Sequence, residues 1–187
     1  MHAERFTFFH DGPFSQWYPC SFTVEQLGFT HAEQYMMYAK AVLFGDTATA
    51  EQILAAKTPR LQKQLGRRVA NFDEQVWVMF REGIVYTGNY AKFSQNADLL
   101  KLLLQTRGTT LVEASPRDKI WGIGLAEDDP RALDPTQWRG LNLLGQTLTR
   151  VREALAWELG VAGSADLAQT NRPAPAAPAD RAKANRP

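Results

Sequence analysis

Residues 30–45 read THAEQYMMYAKAVLFG, and this stretch has the clearest helical pattern in the chain. Thr30 is a suitable N-cap, and Glu33 stands three residues later, which is the spacing of a capping box. Apolar side chains then recur at helical intervals, and Gly45 is the residue type that commonly follows a helix. We therefore predict a helix that begins just after Thr30 and stops at Gly45.

Beyond Gly45 the chain continues with helical patterns of different lengths. Asp46 or Thr47 opens a short helix, and Pro59 lies in the first turn of the next one, where its missing N–H is tolerated. The longest pattern, DEQVWVMFREGIVYTGNYAKF, begins at Asp73, although its two internal glycines weaken the prediction. The helices expected after the first cover approximately residues 47–56, 59–65, 73–93, 99–106 and 141–159.

Three short stretches are β-prone. Phe6–Phe9 and Ser21–Val24 predict strands near the start of the chain, the second ahead of a turn at Gly28. Thr109–Glu113 is the best strand candidate after the first. Residues 115–135 form a long loop, and loops of this length are usually functional or disordered. The predicted fold class is α+β, mainly α-helical, with a few short strands.

Charge and proline content divide the chain near residue 160. The sequence has 21 basic and 20 acidic residues, a formal net charge of +1. Residues 161–187 contain four of the basic residues, two of the acidic ones and four of the prolines, but no aromatic residue. Such a segment cannot bury enough apolar surface to offset the entropy lost on ordering. We predict a single compact domain at 1–160 and a disordered Pro/Ala-rich tail at 161–187.

The composition disfavours several classes of protein. A single cysteine cannot form an internal disulfide or a Cys-built zinc site, which favours a reducing compartment. No apolar run approaches the roughly 18 residues of a membrane span, and the N-terminus lacks a secretory signal. The histidines have no metal-ligand spacing, and Gly122 and Gly124 lack the third glycine of a dinucleotide fingerprint. We expect a cytoplasmic protein with no metal, no cofactor and no membrane partner.

The first predicted helix places polar groups beside aromatic ones. Glu33, Met37 and Lys40 stand at i, i+4 and i+7 and therefore share one face. The lysine side chain tilts back toward the helix N-terminus, so its amine can enter the same pocket as the carboxylate. A carboxylate can shuttle protons, and a desolvated amine is a nucleophile near neutral pH. On spacing alone, a solvated face with an ordinary capping glutamate is the more common interpretation.

A second cluster follows the strand at Thr109–Glu113. Glu113 ends this strand, Asp118 comes five residues later, and Trp121-Gly122 follows. Two carboxylates and an aromatic ring can flank a sugar, and glycosidic cleavage generally uses a pair of carboxylates. The alternative is a surface turn whose tryptophan packs as a lid on the core.

Two further residues suggest ligand contacts. Trp17 follows a turn and can stack on a flat base, and Arg67 can present a planar guanidinium to a phosphate. The alternatives are an aromatic residue of the core and an ordinary surface charge. Neither pattern alone decides between these interpretations.

The order of these elements is more specific than any one of them. Together they match an ordered motif set that runs Phe14-Ser15-x-Trp17, Glu33-Gln34-Tyr35 with Lys40, Gly66-Arg67, Lys92-Phe93-Ser94-Gln95, Leu111-Val112-Glu113 with Asp118, Trp121-Gly122-Ile-Gly124 and Gly140-x-Asn142. With these motifs in register, the chain resembles the NADAR superfamily, the YbiA-like N-glycosidases. The resemblance spans roughly Phe6–Leu159.

The resemblance implies a compact, largely helical α+β domain that acts on ribosylated bases. The family's motif glutamate and lysine match Glu33 and Lys40, with a Schiff-base route through the opened ribose, and its acid matches Asp118. These three residues are therefore expected to be catalytic. Substrate contacts are expected from the other motif residues, which are Trp17, Arg67, Glu113, Trp121, Gly122 and Asn142.

The family has two associated activities, and both are open for this chain. Our preferred hypothesis is hydrolysis of the ribose–base bond in ribosylamino-pyrimidine phosphate intermediates of riboflavin biosynthesis, because near-neutral charge favours a small phosphorylated substrate. The alternative is removal of ADP-ribose from guanine in nucleic acid. A third hypothesis, from another class, is a non-catalytic ADP-ribose or nucleotide reader, since Gln34 and Met37 replace a histidine and a glutamine common in the family.

Overall fold

The fold is α+β and mainly helical, as expected, in a computed structural model that describes residues 4–161. The predicted tail at 161–187 lies outside the described residues except for Val161. In chain order the elements are β1 (Phe6–Phe9), β2 (Phe22–Val24), β3 (Leu27–Phe29), α1 (Ala32–Leu43), α2 (Thr47–Ala55), α3 (Pro59–Gly66), α4 (Glu74–Ser94), α5 (Ala97–Gln105), β4 (Thr110–Glu113) and α6 (Leu143–Glu158), with 3-10 turns at Gly12–Phe14, Pro130–Leu133 and Pro135–Gln137.

Strands β1 and β4 pair in parallel, so that the start of the domain meets a strand more than 100 residues later. Phe6 lies opposite Thr110, and Phe9 lies opposite Glu113. Val112 and Leu111 of β4 are completely buried. This pairing fixes the end of β4, where Glu113 begins the wall of the site described below.

Strands β2 and β3 form an antiparallel hairpin. Its turn lies at Glu25 and Gln26, whose φ angles of 49° and 68° are both positive. Two positive φ angles in a two-residue loop match the twist of the flanking strands. The turn expected at Gly28 was therefore wrong, because Gly28 pairs with Thr23 inside β3.

Helix α1 begins with His31 as its N-cap. Its Nδ1 accepts a hydrogen bond from the backbone N–H of Gln34 at 3.1 Å, whereas the Thr30 hydroxyl donates to the Gln34 side chain at 3.0 Å. The capping box predicted from Thr30 and Glu33 was therefore wrong. The Glu33 side chain is buried in the interior instead, and its backbone N–H donates to the carbonyl of Gln16 at 2.9 Å.

Helix α4 is continuous over 21 residues and packs against both α1 and α6. Its two glycines do not interrupt it. At Gly88 an added Cβ would lie 2.4 Å from Cδ1 of Tyr35, so the absent side chain allows α1 and α4 to approach closely. Gly83 faces open space.

The main core lies between these helices and the parallel strand pair. Its completely or almost completely buried members include Ile53, Val85, Phe93, Leu103, Leu111, Leu144, Leu148 and Val151. Among the described residues, no helix is long and apolar enough to cross a membrane.

Candidate active site

A cavity of about 360 Å³ opens between α1, α3, the start of α4 and the chain that follows β4. Three carboxylates, three cations and three tryptophans line this cavity together. These residues are Glu33, Glu113, Asp118, Lys40, Lys63, Arg67, Trp17, Trp77 and Trp121.

These groups come from several elements of the fold. Helix α1 supplies Glu33 in its first turn and Lys40 near its end, as the shared-face spacing predicts. The C-terminal part of α3 supplies Lys63, and Arg67 is its C-cap. Seven of the nine predicted site residues line this one cavity: Glu33, Lys40, Asp118, Trp17, Arg67, Glu113 and Trp121.

Glu33 is a buried carboxylate whose nearby cation is Lys63. The Lys63 ammonium lies 3.7 Å from Oε1 of Glu33, and the Glu33 residue is only 5% exposed. Burial raises the pKa of Glu33, because it penalises the charged form, and Asp118 raises it further. Lys63 and Arg67 oppose this rise. Burial therefore favours the protonated form of Glu33, while the neighbouring cations favour its ionised form.

Glu113 is the most strongly shifted carboxylate of the cavity. Burial, together with the charges of Asp118 and Glu33, raises the pKa of Glu113 to about 8. Its Oε2 is buried and has no hydrogen-bond partner in the part of the chain that the structure describes. A carboxyl group with this pKa is mostly protonated at neutral pH.

Asp118 holds the loop after β4 in place. Its Oδ1 accepts the backbone N–H groups of Ile120 at 2.8 Å and Trp121 at 2.7 Å. These bonds fold residues 118–121 into a tight turn and place the Trp121 ring on the cavity wall. The second cluster predicted from the sequence is therefore part of one site with Glu33.

The ammonium group of Lys40 lies beside two aromatic rings. Its Nζ donates to the carbonyl of Gly66 at 3.2 Å and lies 4.1 Å from the ring centroid of Phe72 and 5.5 Å from that of Trp77. Burial lowers the pKa of Lys40, and Glu74 partly opposes this. A lower pKa increases the fraction of neutral, nucleophilic amine.

Trp17 contacts both an imidazole and an ammonium group. Its ring stacks on His31 with a centroid distance of 5.7 Å, and Lys63 Nζ is 4.6 Å from its centroid. Nδ1 of His31 accepts from Gln34, so Nε2 carries the hydrogen and donates to Oε1 of Gln62 at 2.7 Å. Burial lowers the pKa of His31, which favours this neutral form.

Gly122 and Asn142, both predicted to contact substrate, do not line the cavity but lie behind its wall. At Gly122 an added Cβ would lie 2.9 Å from the carbonyl oxygen of Glu113, so only glycine fits there. Asn142 accepts the Glu113 N–H at 2.9 Å and donates to the Leu111 carbonyl at 3.0 Å. In this arrangement both residues position β4 and the following loop.

Lys63, Trp77 and Gln16 also line the cavity but were not predicted from the sequence to do so. Lys63 precedes Arg67 by four residues on α3, so the same i, i+4 rule that linked Glu33 to its helix face could have found it. Trp77 was assigned only to the long helix. No group of three His, Cys, Asp or Glu residues that could hold a metal ion occurs among residues 4–161.

Comparison with known proteins identifies the family to which this chain belongs. The family model of the NADAR domain matches residues 6–156. The chain therefore belongs to the NADAR domain family, and the resemblance stated from its motifs is confirmed.

Two similar proteins and one solved structure illustrate the relationship. N-glycosidase R617 of Acanthamoeba polyphaga mimivirus is 43% identical over 166 residues, which cover 82% of this chain and 98% of that protein. Riboflavin biosynthesis protein VVA0006 of Vibrio vulnificus is 31% identical over 144 residues, which cover 77% of this chain and 35% of that protein. The NMR structure of the E. coli protein YbiA superposes with a TM-score of 0.70 at 26% identity, covering 87% of this chain and 92% of the other.

Proposed function

We propose that this protein hydrolyses the N-glycosidic bond between ribose phosphate and an aminopyrimidine, the bond found in ribosylamino-pyrimidine phosphate intermediates of riboflavin biosynthesis. The observation that carries the proposal is the set of three carboxylates, three cations and three tryptophans in one cavity of about 360 Å³. This set offers acids for a leaving nitrogen, negative charge for a cationic sugar and rings for a flat base.

The chain is a hydrolase of the N-glycosidase class, because the mimivirus relative that it matches over 98% of that protein's length is named an N-glycosidase. The riboflavin biosynthesis relative supports the choice of substrate, although the chain covers only 35% of that protein.

Lys40 acts as the nucleophile in this proposal. Phe72 and Trp77 shield its amine from water, which favours the neutral form. The amine attacks C1 of the ribose or forms a transient imine with the opened sugar, and water then releases the sugar. Glu33, paired with Lys63, exchanges protons with the amine and the water, and its charge stabilises positive charge at C1.

The remaining lining residues bind the substrate. Asp118 accepts hydrogen bonds from ribose hydroxyls, and Trp17 and Trp121 contact the base or the sugar. Arg67 is exposed at the rim, where its guanidinium can bind a phosphate without the cost of burying an unpaired charge. Gly122 and Asn142 contribute by fixing Glu113 and Trp121, not by direct contact.

The test is mass-spectrometric detection of bases released from a panel of ribosylated substrates, including a ribosylamino-pyrimidine phosphate. Glu33→Ala and Lys40→Ala are each expected to reduce turnover by about 100-fold or more. Glu51→Ala and Lys101→Ala change exposed residues outside the cavity and serve as matched controls. Undiminished turnover in both site variants would refute the mechanism. Tight ADP-ribose binding by calorimetry, with no base released from any substrate, would instead favour a non-catalytic reader.

A second candidate, removal of ADP-ribose from guanine in nucleic acid, is favoured by one observation. Residues 57–68, KTPRLQKQLGRR, contain five basic residues and no acidic one, and two of the five, Lys63 and Arg67, line the cavity. A basic segment that leads into the site can bind a nucleic-acid backbone by neutralising phosphates.

The two candidates differ in their dependence on the basic residues outside the cavity. Arg60 and Arg68 are exposed and do not line it. If DNA is the substrate, Arg60→Ala and Arg68→Ala should raise KM for an ADP-ribosylated guanine oligonucleotide and reduce its salt dependence. Both variants should leave the KM for a ribosylamino-pyrimidine phosphate unchanged. No release of ADP-ribose from the oligonucleotide by the wild-type protein would exclude this candidate.

A further inference from the structure

We infer that Glu113 is the proton donor to the departing nitrogen of the base. The inference rests on the proposed function and adds to it a catalytic residue distinct from Glu33 and Lys40. Its basis is that the three carboxylates of the cavity have different partners: Glu33 faces a cation, Asp118 accepts two N–H groups, and Oε2 of Glu113 has no hydrogen-bond partner among residues 4–161.

Two of the three carboxylates have favourable partners, which are a cation for Glu33 and two N–H groups for Asp118. Glu33 faces the Lys63 ammonium at 3.7 Å, which favours its ionised form. Asp118 uses Oδ1 to accept two backbone N–H groups, from Ile120 and Trp121. An oxygen that accepts two such bonds is committed as an acceptor and is poorly placed to donate.

Glu113 differs from both in the partners of its Oε2 atom. Its Oε2 is buried, and no N–H or O–H group of residues 4–161 donates to it. Three carboxylates in one small cavity cannot all be ionised without strong mutual repulsion. Because Glu113 has no donor for Oε2 and two acidic neighbours, the shared proton belongs on Glu113. The pKa of about 8 agrees with this placement.

The backbone of Glu113 is held rigidly, which suits a group that must deliver a proton over a short distance. Its N–H donates to Asn142 Oδ1 at 2.9 Å, and its carbonyl accepts from Ser115 at 3.0 Å and Ile123 at 2.9 Å. Gly122 packs directly behind it. Asn142 and Gly122, the two predicted site residues that do not line the cavity, therefore both hold the Glu113 backbone in place.

The Glu113 carboxyl transfers its proton to the nitrogen of the base while the amine of Lys40 bonds to C1. The C1–N bond to the base breaks, its electron pair stays on that nitrogen, and the base leaves as a neutral amine. Water then adds to C1, the bond to Lys40 breaks, and one proton of the water ends on the Glu113 carboxylate. The net reaction is hydrolysis, and both residues return to their starting forms.

The experiment compares two leaving groups in the full-length protein. Glu113→Gln keeps the shape and the neutral charge of the protonated side chain but cannot give up a proton. For a ribosylamino-pyrimidine phosphate, kcat should fall about 100-fold or more. For 4-nitrophenyl riboside 5-phosphate, whose leaving group needs no proton, the fall should be less than about tenfold. Glu127→Gln, an exposed residue of the long loop, is the matched control.

The pH dependence supplies a second readout that a merely structural role would not change. Wild-type kcat for the aminopyrimidine substrate should decline above pH about 8 as Glu113 loses its proton, and Glu113→Gln should lack this decline. Equal losses for both leaving groups, or an alkaline decline that persists in the variant, would overturn the assignment.

A third measurement does not depend on the substrate. Infrared difference spectra of wild type against Glu113→Gln at pH 7 should contain the carbonyl band of a protonated carboxylic acid, and its absence would overturn the assignment. If this band is present but the wild-type protein releases the leaving group of neither substrate, the proposed function fails. If the wild-type protein is active and Glu113→Gln behaves like the control, only the role of Glu113 fails.

Discussion

The ammonium group of Lys63 lies 3.7 Å from Oε1 of Glu33, and the same ammonium lies 4.6 Å from the ring centroid of Trp17. One side chain of α3 therefore links the acid of α1 to the aromatic ring on the opposite loop. Lys63 lowers the pKa of Glu33 against the larger effect of burial, so it increases the ionised fraction of this carboxyl.

Removing this cation should shift the pH profile of the enzyme. In Lys63→Met the pKa of Glu33 rises further, so the ionised form is present only at higher pH. We expect the acid limb of kcat/KM to move up by about one pH unit or more. Lys63→Arg keeps the charge and should keep the limb near its wild-type position. Lys57→Met, an exposed lysine outside the cavity, is the control; an unmoved limb in Lys63→Met would contradict the pairing.

Substitution of Trp17 should weaken substrate binding more than it slows the chemistry. A base stacked on an aromatic ring gains roughly 1–3 kcal/mol, so Trp17→Ala should raise KM about fivefold or more. Trp17→Phe keeps a ring and should lie between Trp17→Ala and wild type. Trp157 is 61% exposed and lies outside the cavity, which makes Trp157→Ala the matched control. A lower kcat with unchanged KM would argue against stacking by Trp17.

The two glycines of α4 should respond in opposite ways to alanine. Gly88→Ala places a Cβ 2.4 Å from the Tyr35 ring, and separating α1 from α4 should lower the free energy of unfolding by about 1–3 kcal/mol. Gly83→Ala meets nothing within 4 Å and should raise it by up to about 1 kcal/mol, because alanine favours the helix. Urea unfolding of both variants tests this, and equal effects would refute the close contact.

Buried Lys92 should make stability depend on pH in the alkaline range. Its Nζ donates to the Ser15 carbonyl at 2.9 Å, and burial lowers the pKa of Lys92 from 10.5 to about 8. Between these values the unfolded chain binds more protons than the folded one, so the free energy of unfolding should rise with pH.

The size of this rise is about 2–3 kcal/mol between pH about 8 and 10.5. Denaturant unfolding across this range should show the rise in the wild-type protein and in the exposed control Lys101→Met. Lys92→Met should lack it, whatever its absolute stability. The same slope in Lys92→Met would show that another group causes the dependence.

The helices were the most predictable part of the fold because their signals are local. The caps at Asp46, Thr58 and Asp73 accept hydrogen bonds from nearby backbone N–H groups, as their residue types indicate. The start of α1 was less predictable, because burial of Glu33 competes with its use as a capping residue and His31 takes the cap instead.

The sequence indicated most residues of the candidate site, but it did not indicate which of them contact one another. Spacing and motif order indicated seven residues that the cavity brings together. They did not indicate Lys63 as the partner of Glu33, nor the positions of Gly122 and Asn142 behind the wall, because these relationships depend on how α3, β4 and α6 pack.

The sequence by itself determined where the helices run, which motifs occur in which order and hence the family. These properties depend on neighbours within a few residues or on the order of side chains along the chain. Tertiary structure alone decided which carboxyl group keeps a proton and which faces a cation. Glu33, Lys63 and Glu113 come from distant segments, and their pKa values depend on burial and on charges that only packing brings within a few ångströms.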